Sequence, residues 1–577
     1  MLSNAVLAGG IASCYIVILF LLLNPAVPLT SPGAARLMGT IGIAYGVHLA
    51  VTFYALIVIR QLVAPETASP AWISARLLAW FGTLAASAGA ALLWLNLRGF
   101  ASALDADAAR RMALAAAALT GCAIGFALVA VLRYSVGRRG SGASAAACAF
   151  LLIASLALPV WARGPGRGEA PLVSRRLDVL PRPVSPSRPA PRIILIAIDG
   201  ASLDFISPAV ADGRLPNFGH LLDRGAVMHL ATLRPTQPGP VWTAVATGKL
   251  PWRNGVRSAA MYRPPGGGAM VDLLPDYCFA HALAKFGLLA ETVHTSSSVR
   301  AALLWELLGR AGLTSHVVRW PVTWPALPVR GAVISDLYHR SAEFMLAHDD
   351  PMTTHPRDLG VHLRRASAGS SLGSAVTDAR PTGPYPAEIP LALDQEYAAL
   401  GWQLALLERS HLLALRLQGL DVAGHYYLRQ ALPRAFGDVS DEERRQYGRV
   451  LEQYYRYIDT EIGRALDALE PDDLLVVVSG FGMEPLSVPK RLLELALGTA
   501  AISGTHERAP DGFLMAFGTH VRPGRLPRGS VVDVAPTLLY YLGLPVGRDM
   551  DGFARTDLLT RTYTESRPIA YIPTHER

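Results

Sequence analysis

Cysteine, lysine and charge in general are scarce in this chain of 577 residues, and each shortage excludes something. Of the four cysteines, Cys14, Cys122 and Cys148 fall in apolar runs, which leaves Cys278 alone in the polar part. Neither a disulfide framework nor a cysteine-based zinc site can be built from that. Lys249, Lys285 and Lys490 are the only lysines; with so much Ala and Arg this reads as a bias toward GC-rich codons and not as a functional stripe. Charged residues make up 17% and apolar residues 51%, with a mean hydropathy of +0.30, too oily for an ordinary soluble enzyme and incompatible with disorder as the main state. The net charge of +8 leaves no nucleic-acid footprint, because residues 163–192 hold seven arginines against Glu169 and Asp178 and so carry five of the eight charges.

Apolar stretches lie at 5–23, 38–59, 77–97, 112–132 and 144–162, each near the ~20 residues that a helix needs to cross hydrocarbon. Residues 1–162 therefore read as a five-span membrane region. Met1 to Asn4 carries no basic side chain and the first run is long, which favours an anchor over a cleaved signal. Five spans put the two ends of the chain on opposite sides of the bilayer. Arg60, Arg76, Arg133, Arg138 and Arg139 lie on the N-terminal side; Arg36, Arg98, Arg110 and Arg111 lie on the other, with Arg163 and Arg167 just past the last span, so loop charge does not decide the orientation. No span has a charged side chain at its centre, and His48 reads as a packed interhelical group. The Pro- and Arg-rich stretch 163–192 is a linker whose charge favours anionic lipid headgroups.

Beyond it, 193–577 reads as an α/β domain with a mostly parallel sheet. IILIAID (193–199) is an apolar β-rich run that closes on Asp-Gly, the pattern of a strand buried on both faces. Similar runs recur at 316–320, 332–336, 412–417, 474–479 and 513–517, with helical patterns between them, clearest at 447–469, where Tyr454, Tyr455 and Tyr457 read as packing residues. Residues 338–395, rich in Ser, Pro, Gly and His, read as an insertion or lid. Ligands in such sheets bind at the carboxyl ends of the strands. Asp199, the pair Asp421 and His425, Ser479 to Met483, and His506 converge on that edge from four places in the sequence. Two carboxylates and two imidazoles suit Zn²⁺ or Mn²⁺, and Asp421 and His425, four apart, share a helix face. Taken singly, each has a plainer reading as a cap, a loop acid or a surface histidine; their joint placement is what points to metal.

The ordered set of motifs resembles the alkaline phosphatase superfamily, in particular its type I phosphodiesterase/nucleotide pyrophosphatase branch: IAIDG (196–200), LPNFGHLLDRGA (215–226), PTQPGPVWTAVATGKLPWRNGV (235–256), GLDVAGH (419–425), VVVSGFGM (476–483), SGTHERAPDGFLMAFG (503–518) and VVDVAPTLLYYLGLPVGRDMDG (531–552). In that family two metal ions bind the phosphate and a Thr attacks phosphorus. The resemblance implies an alkaline phosphatase-like fold, a first metal on Asp421, His425 and His506, and Asp199 as part of a second. Departures are as specific as matches. Gly480 and Phe481 stand where the second metal would take an Asp-His pair, Pro238 stands at the nucleophile, and Asn254 replaces a usual His. Thr236 is the nearest hydroxyl and the candidate nucleophile. One tightly bound divalent ion, zinc or manganese, is therefore expected.

Three functions follow. The first is a membrane-anchored metal-dependent phosphodiesterase or phosphohydrolase, acting on a phosphorylated small molecule or lipid-linked substrate. Alternatively, five spans before such a domain resemble lipoteichoic acid synthases and phosphoethanolamine transferases, which implies transfer of a phospho-headgroup and a domain outside the cytoplasm. The third is a catalytically silent relative that binds a phosphorylated ligand, motivated by Pro238, Gly480 and Phe481. A P-loop ending at Lys249 fails at Thr243 and Leu250, and His506-Glu507 lacks the second His of a zinc-protease helix.

Overall fold

The computed structural model describes residues 1–63, 74–132, 142–166, 191–338, 352–359, 388–437, 439–496 and 501–576. Most of the expected linker and most of 338–395 lie outside the described residues. The chain divides into two compact units, Met1–Leu172 with Ala260–Val293, and Val173–Ala259 with His294–Arg577.

The first unit contains α1 (Leu2–Leu23), α2 (Pro32–Val63), α3 (Ala75–Gly99), α4 (Ala106–Val129) and α5 (Gly142–Arg163). These five helices are long and apolar enough to cross a membrane; at 1.5 Å per residue even the 22 residues of α1 reach about 33 Å. α1 touches all four others. A Cβ on its Gly9 would come within 2.5 Å of the Ala50 backbone nitrogen, so the missing side chain lets α1 and α2 approach closely. His48 does not pack between helices: it is exposed, and its Nδ1–H donates to Ala44 O of its own helix at 2.6 Å.

Ala260–Val293 joins this unit although it lies in the middle of the α/β sequence. Its strands Ala260–Arg263 and Ala290–Val293 pair antiparallel, and the short helix Ala280–Lys285 lies between them. Two buried asparagines at helix ends hold it. Asn24 accepts from the Asp272 and Leu273 amides and donates to Leu273 O; Asn96 accepts from the Asp276 amide and donates to Asp276 O. Tyr45 OH donates to Cys278 O. Arg163, buried, donates through Nε to Leu21 O, satisfying a carbonyl at the end of α1 that the helix leaves unpaired.

The second unit is built on a ten-stranded sheet in the order Gly524–Arg525, Ala226–Ala231, Asp511–Phe517, Leu474–Phe481, Ile193–Ile198, Leu412–Leu417, Ser315–Val318, Gly331–Ile334, Thr354–His355, with Gly529–Ser530 also on Ala226–Ala231. The four strands from Leu474 to Ser315 in that order are mutually parallel, as is Gly331–Ile334. Asp511–Phe517 runs against both its neighbours, and Thr354–His355 against Gly331–Ile334. Side chains alternate across the central strands. Ile193, Leu195 and Ala197 pack with Trp242, Trp305 and Tyr541 on one face; Ile194, Ile196 and Ile198 pack with Phe218, Tyr454 and Ile458 on the other. Because both faces are covered, polar residues at the strand ends are left to define an edge.

Candidate metal centre

Ile193–Ile198 and Leu412–Leu417 pair in parallel register, so Asp199 and the helix Gly419–Ala431 leave the sheet at the same edge. Asp511–Phe517 is antiparallel and starts opposite Phe481, which brings the preceding His506 to that edge as well. The short pair Glu484–Pro485 with Gly504–Thr505 fixes its approach. Gly504 is obligatory there: a Cβ on it would lie 2.3 Å from Gly424 O.

Donor atoms of Asp421, His425 and His506 all lie within 4.8 Å of one another. His425 Nε2 is 3.7 Å from Asp421 Oδ2, and the two imidazole centroids are 5.1 Å apart. Each ring is held from behind. His425 Nδ1–H donates to Gly504 O at 2.9 Å and His506 Nδ1–H to Thr236 O at 2.8 Å. A carbonyl can only accept, so both protons sit on Nδ1 and both Nε2 lone pairs are presented inward, the usual arrangement behind a metal-ligating histidine. Asp421 is 5% exposed, and its Oδ1 is buried with no hydrogen-bond partner. Leaving such an oxygen unpaired is costly unless something not made of protein meets it. The donor set fits a divalent ion.

Other candidate residues are committed elsewhere. Asp199, fully buried, accepts from Trp242 Nε1 at 2.7 Å and from the Nε and Nη2 of Arg416. Thr236 is also fully buried and its hydroxyl donates to Leu233 O at 2.8 Å, so its carbonyl and not its hydroxyl serves His506. Pro238 begins the helix Pro238–Thr247, and with Pro240 it removes two amide donors from a first turn that could otherwise bind phosphate. A Cβ on Gly480 would come 2.5 Å from Val241 Cγ1, so the space for a side chain there is filled. Phe481 packs its ring 5.0 Å from that of His506.

The family model for type I phosphodiesterase / nucleotide pyrophosphatase matches residues 193–505. The chain belongs to this family. No curated protein matches it. Two solved structures of murine ectonucleotide pyrophosphatase / phosphodiesterase 5 are similar at 14% and 13% identity, each covering 64% of this chain and all of its own, with a TM-score of 0.38; the second is an inactive variant in complex with AMP. Arg416 and Trp242, which occupy both Asp199 oxygens, went unnoticed in the sequence because each lies in an apolar run and reads as core. Asp394 was missed too. It pairs with Arg319 and accepts from the Gln418 and Gly419 amides, fixing the start of the helix that carries Asp421 and His425.

Proposed function

We propose that this protein is a membrane-anchored, metal-dependent phosphoric ester hydrolase that works with one tightly held divalent ion, zinc or manganese, on Asp421, His425 and His506. The observation that carries the reading is the cluster of Asp421, whose buried Oδ1 has no hydrogen-bond partner, with two imidazoles whose Nδ1 protons are both pinned to backbone carbonyls. An ion there supplies Lewis-acid polarisation of a phosphoryl oxygen. The chain's own contribution is positioning. Asp394 fixes the helix start, Gly504 O aims His425, and Thr236 O aims His506. Attack by Thr236 would require its hydroxyl to leave Leu233 O, whereas water needs no such rearrangement, so we assign attack to water and give Thr236 the role of holding His506. The substrate class is a phosphorylated small molecule or lipid-linked phosphate ester, and the domain lies outside the cytoplasm.

The test uses the full chain in detergent, with elemental analysis after dialysis and a screen of chromogenic phosphomonoesters and diesters. One ion per chain and turnover of an ester, both lost in His425→Ala, are expected. An ion without turnover of any ester moves the reading to a silent phosphoryl-binding relative, which the missing hydroxyl at Pro238 favours; no ion in either protein removes the metal reading.

A further inference from the structure

The family's second metal does not fit this chain, and the residues that exclude it form a structure of their own. We propose that the Arg416 guanidinium is the permanent cation at Asp199, standing where the second divalent ion would bind. This deepens the one-ion reading above and rests on it only for the ion at Asp421.

A buried carboxylate needs a counter-charge and hydrogen-bond donors. Asp199 obtains both from protein. Arg416, from the neighbouring parallel strand and 3% exposed, lays its fork across the carboxylate, with Nε on Oδ1 at 2.9 Å and Nη2 on Oδ2, the bidentate arrangement in which arginine binds carboxylates best. The Trp242 indole N–H takes Oδ1 as well, at 2.7 Å. Nη1 of Arg416 points back to Arg319 O at 3.4 Å, so the guanidinium is held on its far side too.

The remaining second-site positions are closed in the same sense. Val241 fills the room beside Gly480, and Phe481 presents a ring where a ligand would be needed. Pro238 removes the hydroxyl that a second ion would activate. Loss of the ion's ligands, loss of its nucleophile and the gain of a buried cation are mutually consistent. They describe an edge rebuilt around a charge that cannot dissociate or be chelated.

The measurement is metal stoichiometry of the full-length chain in detergent, titrated to saturation with zinc or manganese and dialysed. Expected are one ion per chain in the wild type, one in Asp199→Asn and none in His425→Ala. Two ions in the wild type, falling to one in Asp199→Asn, overturn the proposal and leave the Asp421 site standing. One ion kept by His425→Ala and lost by Asp199→Asn overturns both. If the wild type holds none, the one-ion reading fails and Arg416→Ala decides the proposal. That variant, purified throughout with zinc or with methylguanidinium, should fold and melt at a higher temperature with either than with neither. A variant indifferent to both overturns it.

Discussion

Thr236 shows how a side chain can sit beside a site and still be held out of it. Its hydroxyl is spent on Leu233 O while its carbonyl carries His506. Thr236→Ala removes the hydroxyl and keeps the carbonyl, so it should leave metal content unchanged and ester turnover within about 3-fold, an effect of under ~1 kcal/mol on the barrier. Loss of turnover by orders of magnitude, measured on the same diester, would make Thr236 the attacking group. The cluster of Asp421, His425 and His506 was legible in the sequence, because Asp421 and His425 are four apart after an apolar strand and His506 precedes another. Asp199 was legible only as a strand-end acid. Its partner Arg416 comes from LLALRL, where one arginine in a strand carries no sign of what it faces until the register with Ile193–Ile198 is known.

At the scale of elements, long apolar periodicity was readable and short irregular segments were not. Each expected span lies within α1 to α5, apart from the last residues of the fourth, and Leu412–Leu417 matches residue for residue. Ala226–Ala231 escaped notice because the exposed His229 interrupts its apolar character, and no sequence period shows that Asp511–Phe517 is antiparallel. Ala260–Val293 escaped for another reason: the hydrogen bonds that help tie its backbone to the helices come from Asn24 and Asn96, which in sequence are only polar ends of apolar runs. Asn24→Ala would strip partners from the Asp272 and Leu273 amides and from Leu273 O. At ~1 kcal/mol or more for each buried group left unsatisfied, the segment should loosen, and trypsin should cut after the exposed Lys285 at least several-fold faster. Unchanged cutting would mean that water replaces the asparagine.

One strand also carries a pH dependence. His316, 2% exposed within Ser315–Val318, has its pKa pushed below the ordinary imidazole value, mainly by burial and further by Arg192, with Glu408 opposing. A histidine kept neutral when folded binds a proton more readily when unfolded. Its contribution to stability is therefore present above the unfolded value of about 6.5 and is lost as pH falls through that value toward the lower folded one. Denaturant midpoints of the full chain at pH 7.5 and 5.5 should differ more for the wild type than for His316→Val, and equal differences would remove His316 as the cause.

For the whole molecule, the sidedness of the chain can be argued from contacts as well as from counting spans. Ala260–Val293 meets Asn24 after α1, Gly33 and Arg36 at the start of α2, and Asn96 near the end of α3. An up-and-down run of five helices places all of these at the end of the bundle where α5 finishes, opposite Met1. This segment is continuous in sequence with Ala259 and His294, so the proposed five-span topology carries the expectation that the α/β residues on either side of it share its side of the bilayer. Reporters fused before Met1 and after Arg577 should then lie on opposite sides, and with the outward orientation proposed above the C-terminal one should be active as an alkaline phosphatase fusion and dark as a cytoplasm-dependent fluorescent protein. A fusion placed in the turn at Gly266 should report the same side as Arg577. Agreement between the Gly266 and Arg577 reporters with the opposite polarity would reverse the orientation and keep the five-span fold, whereas disagreement between them would break the connection between the segment and the helix ends it binds.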